Sequence, residues 1–181
     1  MTTTQSSPGI DASASSVIAS WPETSRAVAQ TIIGKYGAPN EATPTRLTWF
    51  NSGPWKRTVV YRDTIPHNFP MPHPDLLEQF IDYQVPPDRF DDLAQYDGSV
   101  IAERTKGEIS ARCDKEGANF LAINLAHDVA TGRRTVEEAR QFYAQTMQAV
   151  MSGEMPAYTQ GFQFQVPRGN TNDPDRPAPG M

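Results

Sequence analysis

Residues 46–62 read RLTWFNSGPWKRTVVYR, and this stretch decides the fold class. From Arg46 to Phe50, Leu47 and Trp49 fall on one face, the period-2 mark of a half-buried strand. Asn51-Ser52-Gly53-Pro54 is turn chemistry. From Trp55 to Arg62 a second strand follows, with Trp55, Val59 and Tyr61 near-alternating. Two strands joined by a short turn make a β-hairpin, so antiparallel pairing is expected to dominate.

Working upstream, a helix is predicted from Trp21 to Tyr36. Trp21, Val28, Ala29, Ile32, Ile33 and Tyr36 form its stripe. Ser20 with Glu23 has capping-box spacing, and Gly37 and Pro39 end the helix. Downstream, residues 63–75 (DTIPHNFPMPHPD) hold Pro66, Pro70, Pro72 and Pro74. That density predicts a stiff extended loop rather than a helix or a central strand.

Leu76 to Val85 fits either a strand or a helix; the Tyr83-Gln84-Val85 ending and the prolines that follow favour a strand. A short helix is expected from Pro87 to Tyr96. Ser99–Thr105 and Glu108–Cys113 flank Lys106-Gly107, the spacing of a two-residue hairpin. Glu116 to Thr131 carries Ala118, Leu121, Ala122, Leu125, Ala126 and Val129 at helical period. Thr135 with Glu138 is a second capping box, opening a helix to Met151, and the short link predicts a helical hairpin. The expected architecture is α+β: a largely antiparallel sheet of four to five strands built from hairpins. Helices should pack mainly on one face, with a helical hairpin at the C-terminal end.

The chain has 181 residues, of which 38% are hydrophobic, and a net charge of -5. One domain over residues 18–165 suits that length. Residues 1–17 are rich in Ser and Thr, and residues 166–181 hold four of the 16 prolines. Both segments are expected to be disordered tails. No stretch approaches the ~18 apolar residues of a spanning helix, and residues 1–16 lack the character of a secretory signal. With one cysteine, Cys113, a disulfide framework is excluded and a reducing, cytoplasmic setting is the expectation. Scattered basic residues and net acidity disfavour nucleic acid and leave a protein or a small molecule as partner. P-loop, dinucleotide, nucleophile-elbow and CxxC patterns are all missing.

Four groups could carry chemistry. His67 and His73 stand close together in a proline-stiffened segment. Asp75 or Met71 could add a ligand there, and His127 a third imidazole. Imidazole with carboxylate suits Zn or Fe, and a thioether would suit Cu. Cys113 with His127 is a nucleophile–base combination, although Cys113 alternates with Ile109 and Ala111 as a core position does. Arg104 and Arg112, on neighbouring strands, could bind an anionic ligand, unless the adjacent Glu103 and Glu108 pair with them. Trp49, Trp55 and Tyr61, with Lys56, Arg57 and Arg62, could stack on a ligand or simply pack against the first helix.

From the first helix through Tyr36-Gly37-Ala38-Pro39 into Leu47-Thr48-Trp49-Phe50, the chain resembles the opening of SmpA/OmlA-type outer-membrane lipoproteins. Those also pass from a helix through a Gly-x-Pro turn to a Trp-bearing strand. The resemblance covers about thirty residues without a lipobox cysteine, and no activity or site residue is carried over from it.

The first expectation is therefore a soluble, non-catalytic binding or accessory domain. Its contact surface would be the proline-rich loop 63–75, with Trp55, Arg62, His67, Phe69 and His73, together with an open sheet face. The alternatives are a metal-binding protein or metal-dependent enzyme using His67, His73 and His127, and a small anionic-ligand pocket at Arg104 and Arg112.

Overall fold

The computed structural model describes residues 14–181. After a helical turn at 14–18 come α1 (Glu23–Tyr36), β1 (Glu41–Thr43), β2 (Arg46–Ser52), β3 (Trp55–His67) and β4 (His73–Asp82). A 3-10 turn at Pro87–Arg89 leads into α2 (Phe90–Tyr96). Then follow β5 (Val100–Glu103), β6 (Glu108–Cys113), α3 (Glu116–Ala130), α4 (Val136–Met151) and a 3-10 turn at Ala157–Thr159. The six strands form one sheet in the order β1-β2-β3-β4-β6-β5, every pair antiparallel. This is the α+β fold with an open antiparallel sheet, with one or two strands more than expected. No helix among the described residues is long and apolar enough to cross a membrane.

The hairpin at 46–62 forms with the expected pattern, Leu47 and Trp49 being fully buried. Its turn works because Asn51 and Gly53 both take positive φ, 52° and 57°, which a short polar side chain and glycine tolerate. Leu47, Trp49, Val60 and Leu77 line one sheet face and receive Ala29 and Ile32 of α1. Ile81, Ile109, Ala111 and Val100 continue that face under α3 and α2. Helices therefore cover one side. The other side carries ionic groups: Arg57 pairs with Glu108 at 3.1 Å, and Lys56 reaches Glu108 and Asp82, each at 2.7 Å. There too, Tyr61 and Ser110 both donate to Glu78, at 2.8 and 2.7 Å.

Several local expectations are corrected. The segment 63–75 is not a loop: β3 runs on through Pro66 to His67, β4 starts at His73, and only five residues turn between them. Prolines are admitted because this arm is two-stranded. The β2 ladder ends at Arg46–Tyr61 and the β6 ladder at Leu77–Cys113, so Pro66 and Pro74, paired with each other, have no third strand needing their N–H. The β5–β6 turn spans four residues, because Glu103 pairs with Glu108 and Gly107, at φ 65°, closes it. The helix α1 begins after Pro22 with no side-chain cap, and the Ser20 hydroxyl instead donates to the Val17 carbonyl. The Thr135–Glu138 capping box forms in full. The helix α3 is buried almost all round rather than on one stripe, because α4 and the 157–159 turn pack on it as well as the sheet.

Residues 166–181 contain no helix or strand except a final turn, yet they lie against the fold. Thr171 is buried and its hydroxyl donates to the Gly107 carbonyl at 2.8 Å. Arg104 ties the same segment through Asp173 at 2.8 Å and Asp175 at 2.5 Å. The N-terminal tail expectation falls on residues 1–13, outside the described ones, and on 14–17, where Ala14 is buried beside Ile18 and Trp21.

Candidate metal centre

The two-stranded arm sets His67 directly opposite His73, with ring centroids 4.9 Å apart. Asp75, two residues along β4, points to the same side as His73, as strand alternation requires. The tip of the arm is pinned to α4. Phe69 packs 5.1 Å from the Tyr143 ring, and the Arg140 guanidinium lies 3.8 Å from the Phe69 ring centre. Arg140 also donates to the Tyr96 carbonyl at 2.7 Å, so the anchor reaches the end of α2. Asp97, the next residue, thereby comes beside His67.

Distances assign the ring nitrogens. His73 Nδ1 lies 2.8 Å from the Met71 carbonyl, which only accepts, so Nδ1 carries the hydrogen. In the neutral ring, Nε2 is then a lone pair, and it faces Asp75 Oδ1 at 3.1 Å. His67 Nδ1 faces Asp75 Oδ2 at 3.2 Å, while its Nε2 faces Asp97 Oδ1 at 3.6 Å. Asp97 is itself held as a cap, its Oδ1 accepting from the Ser99 N–H and hydroxyl, each at 2.8 Å.

Close as they are, these groups do not hydrogen-bond to one another. His67 Nδ1, His73 Nε2 and Asp75 Oδ1 are all buried without a hydrogen-bond partner. One such atom would be unusual in a folded protein. Here three converge, and together they could hold a cation. One ligand atom from each residue lies within 4.8 Å of the others. A ligating imidazole ordinarily gives its second nitrogen to a carbonyl or carboxylate; the Met71 carbonyl takes that place for His73, and Asp97 stands 3.6 Å from the second nitrogen of His67. Burial pushes the Asp75 carboxyl above the usual carboxylate range, against the pull of His67, His73 and Arg112. The side chains around it thus under-compensate its charge.

Two imidazoles and a carboxylate suit Zn or Fe(II), and three protein ligands leave coordination positions open. A Cu(I) site is less well served: Met71 offers its carbonyl to His73, and its side chain is exposed.

The other sequence-derived candidates lie elsewhere. His127 accepts from or donates to the Tyr83 hydroxyl at 2.8 Å and stacks on Phe164, apart from the other imidazoles. Cys113 is buried beside Asp114, and burial pushes its thiol well up, the opposite of an activated thiolate. Trp55 is a core residue between Phe120 and Phe162, its indole N–H given to Glu116. Arg62 is spent on Asp63, and Arg104 on Asp173 and Asp175. Arg104 and Arg112 do not meet: Arg112 instead stands beside the centre, its Nε 3.9 Å from Asp75. Sequence reasoning gives Tyr143 only an apolar helix position and Asp97 only a helix end, and it singles out neither these nor Arg140 for the site. Nothing local marks Asp97, which reads simply as a helix-ending Asp-Gly. Compared with known proteins, the chain matches no protein-family model, no curated protein and no solved structure.

Proposed function

We propose that this protein is a divalent-metal protein with a catalytic-type centre, whose ligands are His67 Nδ1, His73 Nε2 and Asp75. The observation that carries this reading is the convergence of three buried, unpartnered ligand atoms, with His73 oriented from behind by the Met71 carbonyl. Zn or Fe(II) is the ion that such donors prefer. An ion held by three protein groups acts as a Lewis acid and lowers the pKa of a bound water toward neutrality. The protein's part is to hold His73 in the ligating tautomer and to anchor the arm beside His67 by packing Phe69 on Tyr143.

The accessory-domain reading has less support. Phe69 is packed rather than presented, and the helix-free sheet face is crossed by ion pairs. Phe50, Ile65 and Ile101 are its exposed apolar groups.

The test is metal content by plasma mass spectrometry on protein purified without chelator, followed by calorimetric titration with Zn²⁺ and anaerobic Fe²⁺. About one equivalent is expected, and replacing His67 or His73 by Ala should abolish it. No metal, and no affinity tighter than about 100 µM, would end the reading.

A further inference from the structure

We propose that the pocket beside this centre takes a small oxyanion, a carboxylate or phosphate group held by Arg112 and Arg46, with one of its oxygens reaching the ion. The proposal rests on the metal reading and adds the chemical class of the ligand.

Thr45, Arg46, Tyr61, Asp63, Ile65, Asp75 and Arg112 line a pocket at the end of β2, β3 and β6. Asp75, whose carboxylate faces both imidazoles, is one of the residues lining this pocket. Arg112 rises from β6 opposite Glu78. Its Nε is buried without an acceptor, and no acceptor among the described residues takes a hydrogen bond from its terminal nitrogens. A planar guanidinium fork with unused donors is built to receive a carboxylate or phosphate. Arg46, exposed at the rim, forms no ion pair among the described residues.

The acidic groups nearby are already engaged. Asp63 is paired with Arg62 at 2.8 Å, and Glu78 accepts from Tyr61 and Ser110. Asp97 faces His67 and Ser99. With a divalent ion on Asp75, the pocket lining would hold the ion, Arg46 and Arg112 against Asp63, which already pairs with Arg62. An anionic ligand balances that positive charge.

The experiment uses the full chain loaded with Co²⁺, whose visible absorption reports coordination, titrated with inorganic phosphate and with oxalate as probes. The expected result is a saturable spectral change with at least one probe, at an apparent Kd of about 0.1–1 mM. Arg112→Gln should weaken that binding by about tenfold or more while the protein still takes up cobalt to about one equivalent. Arg46→Gln, at an exposed position safe for folding, should act in the same direction more weakly, and Arg112→Lys should recover part of the loss. The stronger of the two probes tells carboxylate from phosphate. Cobalt bound normally but indifferent to both probes would overturn the anion site and leave the metal centre standing, as would anion binding unchanged in both arginine variants. Failure to bind cobalt at all would overturn the metal reading and this proposal with it.

Discussion

His67 and His73 are cross-strand partners, and each has its outward nitrogen turned to a different oxygen, Asp97 for one and the Met71 carbonyl for the other. Direct opposition on an antiparallel pair brings side chains close. It does not by itself aim them at one point. The Met71 carbonyl fixes the His73 ring, Asp97 stands 3.6 Å from the outer nitrogen of His67, and both inner nitrogens face Asp75.

A bound ion should therefore stabilise the fold. At a hundredfold excess over its dissociation constant, a ligand specific for the native state adds about 2.7 kcal/mol. For a domain of this size that raises Tm by roughly 5–10 °C. Differential scanning fluorimetry with and without Zn²⁺ checks it. The rise should vanish in His67→Ala and on adding chelator; a rise that survives His67→Ala would place the ion elsewhere.

Asp97→Asn separates orientation from folding. Asn keeps an oxygen for the Ser99 N–H and hydroxyl but loses the charge that faces His67 Nε2. Loss of such an outer partner ordinarily costs about 10- to 100-fold in metal affinity. Cobalt titration should show that loss while Tm without metal shifts by only a few degrees. Unchanged cobalt affinity would reduce Asp97 to a turn cap.

Gly107→Ala should release the C-terminal segment. Gly107 has φ 65°, and a Cβ there would stand 2.0 Å from the Thr171 carbonyl oxygen. Strained φ alone costs more than about 1 kcal/mol, and the clash requires residues 171–172 to move. Limited proteolysis should cut the variant after residue 166 well before the native protein. Equal resistance in both would mean that the segment is held by Arg104 and its two aspartates rather than by this close approach.

What could be read from the sequence, and what could not, divides by the range of the interaction. Leu47 with Trp49, and Thr135 with Glu138, are local patterns whose physics is complete within a few residues, and both form as expected. The histidine pair is also visible, because His67 and His73 are near in sequence. Their hairpin is not: prolines argue against a strand only where a neighbour needs the missing N–H, and Pro66 and Pro74 have no such neighbour. Asp97 reaches His67 through the packing of Arg140 and Phe69, and Arg112 reaches Asp75 across the ladder. Neither contact has a local signature. Composition likewise marked 166–181 as a tail, since few apolar groups lie there; what holds it is a backbone contact at Gly107 and the Arg104 ion pairs.

Glu116 provides the last test, through pH. Residue 116 looks in sequence like a carboxylate assisting a helix start. In the fold its Oε2 accepts from Tyr36 at 2.7 Å, Trp55 at 3.1 Å and Gln79 at 2.8 Å, while Lys35 binds Oε1. Burial alone would raise this carboxyl, but Lys35, Gln79 and Tyr36 outweigh it and hold it below the usual range. A depressed folded pKa means that its contribution is fully present above the unfolded value of about 4.3 and is lost as pH falls through the folded one. Lys35 is half exposed, so its share is screened and Lys35→Ala should cost under about 1 kcal/mol. Glu116→Gln leaves buried donors facing an amide and should cost about 1.5–3 kcal/mol at pH 7. Urea denaturation from pH 7 to pH 3 checks both. The native protein should lose stability more steeply than Glu116→Gln below about pH 4.3, so that the two curves converge; curves that stay parallel would show that Glu116 titrates alike in the folded and unfolded chains.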